Sequence, residues 1–111
     1  MESGSLVVLT CGSPREKFWG VLLELSQVGA TLRAVPLVAF EDYLRQVRDR
    51  EAVGICPATL FLPAHRLERI ELDESGGGLE GLGARFARVT GRDPASWLLG
   101  VAEPTEPTAE M

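Results

Sequence analysis

Lys17-Phe18-Trp19-Gly20-Val21-Leu22-Leu23-Glu24-Leu25 decides the fold, because this stretch satisfies two periodicities at once. Extended, it puts Trp19, Val21, Leu23 and Leu25 on one face; wound as a helix, it aligns Phe18, Val21, Leu22 and Leu25 at i, i+3, i+4 and i+7. The neighbours favour the extended form. Gly20 weakens a helix interior, Ser26 to Gly29 has the composition of a turn, and Ala30-Thr31-Leu32-Arg33-Ala34-Val35 reads as a return strand. The stretch is therefore expected to be a strand, with Trp19, Val21, Leu23 and Leu25 lining the interior of a sheet.

On its N-terminal side, Leu6-Val7-Val8-Leu9-Thr10-Cys11 is a short β-branched run that stops at Gly12-Ser13-Pro14, a strand followed by a turn. On its C-terminal side, Pro36 discourages further ladder. Phe40, Tyr43, Leu44 and Val47 then fall at helical spacing, with Glu41 and Asp42 early and Arg45, Arg48 and Arg50 late, as the helix macrodipole favours. A helix is expected over residues 40–51. Thr59–Leu62 and Leu67–Leu72 read as two further strands. Leu67 is out of phase with Ile70 and Leu72, so a sharp bend is expected between Pro63 and Arg66.

Asp73-Glu74-Ser75-Gly76-Gly77-Gly78 reads as a flexible acidic linker. Leu79, Leu82, Phe86 and Val89 then keep a helical stripe over residues 79–90, closed by Gly91. Asp93-Pro94 has the form of an N-cap followed by proline at the first helical position, opening a short turn that carries Trp97, Leu98 and Leu99. The repeated Glu, Pro and Thr of residues 103–111 are expected to form a disordered acidic tail. Residues 1–102 are expected to fold as one α+β domain, a small, strongly bent antiparallel sheet or partly open β-barrel with an inserted helix (40–51) and a C-terminal helix (79–90).

The 111-residue chain is 45% hydrophobic, enough for one modest core, and carries a net charge of −5. Setting aside Glu103, Glu106 and Glu110 of the tail, 13 acidic groups face 11 basic ones. That near-neutrality argues against non-specific nucleic-acid binding, which needs many phosphates neutralised. Two cysteines make no dense framework, and Met-Glu-Ser-Gly-Ser lacks the regions of a signal peptide, so a cytoplasmic location is expected. No apolar run is long enough to cross a bilayer, and no membrane association is expected.

No catalytic cluster emerges. Cys11 precedes Gly12-Ser13-Pro14-Arg15, where a thiolate could sit beside backbone N–H groups, but the cysteine-phosphatase loop requires an Arg separated from the Cys by five residues; Lys17 occupies that position and Arg15 comes too early. His65 is the single histidine, and Cys11, Cys56 and His65 lack the close pairs that mark zinc sites. Gly76, Gly77 and Gly78 do not match a phosphate-cradling motif. No metal and no cofactor is implied. The residues best suited to binding are Arg15, Lys17 and Trp19, together with His65, Arg66 and Arg69, if the sheet joins the two segments into one basic and aromatic surface.

The strand sequence resembles that of the Sm-like and SH3-like small β-barrels over residues 6–72. A bent first hairpin around Phe18-Trp19-Gly20-Val21-Leu22, a return strand at Thr31–Val35, then Leu60–Leu62, a short turn and Leu67–Leu72 carry the likeness. Sm-like relatives imply rings and RNA binding, SH3-like relatives imply peptide or protein recognition. The helix at 40–51 is an insertion against that pattern, and the polar base-binding loop of Sm proteins has no counterpart near Ser26-Gln27-Val28-Gly29. The expected function is a non-catalytic interaction or regulatory module that binds a protein partner or self-associates. The alternatives are an RNA-binding barrel using Arg15, Lys17, Arg66 and Arg69, and an α/β enzyme with a Cys11 thiolate in a strand-to-helix loop.

Overall fold

The computed structural model describes residues 1–52 and 54–103. Residues 17–25 are extended, inside the long strand β2 (Glu16–Ser26) that follows β1 (Leu6–Cys11) and precedes β3 (Gly29–Pro36). Helix α1 (Phe40–Asp49), β4 (Ala58–Pro63), β5 (Leu67–Leu72), α2 (Leu82–Thr90) and α3 (Pro94–Leu99) complete the order. All strand pairs are antiparallel, in the spatial order β4-β3-β2-β1-β5, and the sheet is open. The α+β class with a bent sheet is therefore observed.

The connection between β4 and β5 fixes how far the sheet bends. Pro63 aligns with Gly29 and thence with Ser26 at one end of β2, whereas Leu67 aligns with Cys11 and thence with Glu16 at the other end. In a flat sheet these diagonal corners would stand roughly 33 Å apart along the strands and roughly 19 Å across them. Four residue steps reach at most about 14 Å. Opposite corners must therefore curl together, and the 3-10 turn Ala64–Arg66 joins them. Ala64 N–H donates to Val28 O (2.8 Å) in the β2–β3 turn, and Gly12 N–H in the β1–β2 turn donates to Arg66 O (2.8 Å). The bend expected at Pro63–Arg66 is this corner.

The central strands are buried on both faces. One carries Val7, Leu9, Cys11, Leu22, Ala30, Leu32, Ala34 and Leu62, with Phe18, Leu60, Leu67 and Ile70 packed against them, so every strand contributes to the curled interior. The other face carries Trp19, Val21 and Val35, covered by Phe40, Tyr43, Leu44 and Val47 of α1, Phe86 of α2 and Leu98 of α3. Trp19 meets Phe40 edge-on at 4.9 Å between ring centroids and Phe86 at 5.7 Å, while Phe86 stacks on Tyr43 at 5.8 Å. These offset and edge contacts are the arrangements that aromatic quadrupoles favour.

Several boundaries differ from those expected. A register shift between Leu22 and Glu24 leaves Leu23 without a ladder partner, so Leu25 does not line the interior; it is 48% exposed. Helix α1 ends at Asp49 rather than 51, because Arg50 turns left-handed (φ 55°) and its N–H closes onto Gln46 O and Val47 O. Helix α2 starts at Leu82 rather than 79, since Gly76 and Leu79 exchange two backbone hydrogen bonds (3.0 and 2.9 Å) in a tight turn that leaves Leu79 78% exposed. The glycine segment expected as a flexible linker is thus a hydrogen-bonded turn, with Ser75 Oγ also accepting from Gly81 N–H (3.0 Å). The third helix, α3, starts at the expected N-cap, the Asp93 carboxylate accepting from Ser96 N–H (3.0 Å). Of the expected tail, Glu103 accepts from the Trp97 indole N–H (2.8 Å) and residues 104–111 lie outside the described residues.

Tyr43 makes a pH dependence readable. It is 2% exposed, its hydroxyl has no hydrogen-bond partner among the described residues, and burial pushes its pKa up to about 12. The unfolded phenol ionises near 10. Raising the pH therefore ionises the unfolded chain first, so this contribution is intact below about pH 10 and falls by up to about 1.4 kcal/mol per pH unit between there and about pH 12. Phenolate absorbance of this single tyrosine should show the late ionisation, and Tyr43→Phe should flatten that part of the stability profile without loss at neutral pH.

Candidate functional site

The turn between β1 and β2 is held by one guanidinium. Arg66 donates from Nε to Gly12 O (2.9 Å) and from Nη2 to Pro14 O (3.0 Å), to Glu16 Oε1 (3.3 Å) and to Cys11 Sγ (3.6 Å). A planar fork with five N–H donors suits such divided work. It leaves Arg66 committed to the fold, and it draws the Glu16 carboxylate toward the Cys11 side of the sheet.

Cross-strand partners share a face, so the register places Lys17, Thr10 and Arg69 side by side on β2, β1 and β5. With Arg15 and Glu68 they line a small polar cavity of about 190 Å³. Arg69 lies 3.6 Å from Glu71. Among the described residues neither Arg15 nor Lys17 forms an ion pair, whereas Arg45, Arg48, Arg85, Arg88 and Arg92 each face a carboxylate. Arg85 and Glu41 bridge α2 to α1 at 2.7 Å, and the Arg85 hydrogen bond holds the Glu41 carboxyl below its ordinary range.

Beside this cation pair the surface becomes apolar. Arg15, Glu16 and Lys17 run into Phe18, which is aligned with Pro36, and Pro36 continues into the 3-10 turn Leu37–Ala39. Together with Leu37 and Val38 they line a cleft of about 410 Å³. Val38 is 95% exposed and lies beside half-buried Leu37 and Phe18 in this cleft.

The six residues expected to bind therefore divide. Arg15, Lys17 and Arg69 come together at one end of the sheet. Arg66 is near them but engaged with the β1–β2 turn, and His65 is exposed on the 3-10 turn. Trp19 belongs to the core: it is fully buried, and its indole N–H donates to Asp73 Oδ2 (2.8 Å). The expected basic and aromatic surface is corrected accordingly, with half-buried Phe18 in the place given to Trp19. Sequence reasoning missed Leu37 and Val38. Their apolarity directly after Pro36 is the signal, but it is indistinguishable in sequence from a core approach to α1.

The strand-to-helix loop needed for a Cys11 thiolate is also corrected. The chain leaves Cys11 through a strand-to-strand turn into β2, and Cys11 itself is fully buried in the curled interior. Cys56 is exposed and both thiols are free. Among the described residues no group of three His, Cys, Asp or Glu side chains is placed to hold a metal, and no helix is long and apolar enough to cross a membrane. No protein-family model, curated protein or solved structure matches the chain.

Proposed function

We propose that this chain is a non-catalytic interaction module that takes a protein strand onto the open edge of its sheet, a second copy of itself being the simplest partner. The observation that carries this reading is the contrast between the two edges. β5 carries Glu68, Arg69 and Glu71, charges of the kind that deter strand addition. β4 reads Ala58-Thr59-Leu60-Phe61-Leu62-Pro63, has no charge, and holds Phe61 54% exposed. A six-residue uncharged edge is a ready template for β-augmentation, with backbone hydrogen bonds supplying affinity and alternate side chains supplying choice. The curled, open five-stranded sheet with a 3-10 corner between β4 and β5 also supports the likeness to Sm-like and SH3-like barrels, among which rings and peptide docking are both represented. The free thiol at exposed Cys56 suits a reducing, cytoplasmic setting.

Light scattering on the full chain over a concentration series tests the proposal. The expected result is a mass above the 12.0 kDa of one chain that returns to it in Phe61→Lys, because a lysine on the edge opposes strand addition. A wild-type chain that stays monomeric at high concentration, with fast amide exchange along β4, counts against self-association.

A further inference from the structure

We infer that the cleft bounded by Arg15, Glu16, Lys17, Phe18, Pro36, Leu37 and Val38 is a docking site for an acidic protein segment bearing an apolar anchor. It uses no residue of β4, so it stands apart from the edge-strand reading. Two independent features select the occupant. The first is charge: Arg15 and Lys17 form no ion pair among the described residues, although five arginines of the helical layer each have a carboxylate partner. Glu16, between them and also lining the cleft, is already paired with Arg66 at 3.3 Å, and Glu68 shares only the adjoining polar cavity. The cleft wall therefore holds two cations against one carboxylate that has its own partner, on a chain whose overall charge is −5.

The second feature is the floor. Val38 at 95% exposure and half-buried Leu37 and Phe18 offer aliphatic and aromatic surface beside the cations, in a cleft of about 410 Å³. That volume matches one or two side chains, and covering such surface is where the binding energy of a short peptide comes from. A purely anionic ligand would leave the apolar floor wet, and a purely apolar one would leave the cations without use. A segment with carboxylates flanking a Leu or Phe satisfies both. Electrostatic complementarity then sets its orientation and its association rate.

The test is fluorescence anisotropy with the full chain and a labelled acetyl-Asp-Glu-Leu-Phe-Glu-Asp-amide peptide at low salt. Saturable binding should weaken with added salt, and should fall roughly tenfold or more both in the Arg15→Glu/Lys17→Glu pair and in Val38→Asp. The pair Arg45→Glu/Arg48→Glu, which changes the net charge equally on α1, should leave it unchanged. Thermal melts of each variant separate loss of binding from loss of fold. The inference is overturned if the peptide does not saturate, if a peptide with Gly-Ser in place of Leu-Phe binds equally well, or if the α1 pair weakens binding as much as the cleft pair. Tighter binding of a labelled oligouridine, lost in the same cleft variants, would also overturn it and assign the cations to RNA.

Discussion

Asp73→Ala is expected to destabilise the fold by about 3 kcal/mol or more, since it removes three charge-assisted hydrogen bonds and strands their donors. The Asp73 carboxylate accepts from the Trp19 indole N–H (2.8 Å), from Leu82 N–H (2.7 Å) and from Gly83 N–H (2.6 Å). The last two donors belong to the first turn of α2, whose own N-cap, Gly81, has no side chain to offer. One carboxylate nine residues before the helix thus does the work of a cap and also satisfies a tryptophan nitrogen in a fully buried ring. With a typical stability of about 5–15 kcal/mol for a domain, the loss is a large share of the whole.

Asp73→Asn discriminates geometry from charge. Its single amide oxygen can replace Oδ2, keeping Trp19 and Gly83, but the NH₂ group then faces the Leu82 N–H, donor against donor. An intermediate loss is expected. Chemical denaturation followed by tryptophan fluorescence measures both variants, and amide exchange at Leu82 and Gly83 reports the helix end directly. A loss below about 1 kcal/mol for Asp73→Ala, with those amides still protected, would contradict the role given to this carboxylate.

Gly20 is the second position where a small change should have a large effect. It is aligned with Val7 and Ala34 at the centre of β2. A Cβ there would overlap Arg33 O and the Ala34 methyl and lie 2.6 Å from Ala34 Cα, inside van der Waals contact with backbone that has no room to retreat. Ordinary cross-strand Cβ atoms stand about 5 Å apart, so β2 and β3 are unusually close at this point, as a tightly curled sheet requires. Gly20→Ala should cost about 1–3 kcal/mol, the range for overpacking, and Gly20→Val should exceed it. Thermal melts monitored by circular dichroism would show the order wild type, Ala, Val. An Ala variant as stable as wild type would mean that the sheet can open at Gly20 without penalty.

These two positions also show where sequence reading succeeds and where it stops. Gly20 is legible as an element breaker: it tips residues 17–25 toward a strand, and the strand is there. Why glycine is required there is not legible, because the crowding comes from Ala34 on another strand. Asp73 reads in sequence as the first residue of a polar linker. Its partners, Trp19 and the start of α2, lie 54 and 9 to 10 residues away, and no local pattern names them. A buried Trp demands an acceptor, but which acceptor depends on where the chain returns.

The candidate site divides along the same line. Arg15 and Lys17 are close in the chain and stay close in space, so their pairing is readable. Arg69 joins them only because Thr10 is aligned with both Lys17 and Arg69. Arg66 looks like a fourth surface cation until the corner places it over the Gly12–Pro14 turn. Val38, apolar soon after Pro36, reads like an approach to the core, but the 3-10 turn Leu37–Ala39 leaves it 95% exposed.

Taken alone, the order of residues determined the strands, the helix from Phe40, the N-cap at Asp93 and the α+β class, since periodicity, turn composition and capping act over a few neighbouring residues. Contacts between distant parts of the chain settle that opposite corners of the sheet meet at Ala64–Arg66, that the central strands are buried on both faces, and that Trp19 answers to Asp73. The physical reason is register: a strand's pattern says which side chains share a face, but its partner and alignment are settled by contacts among distant residues, and one step of slippage would exchange the two faces.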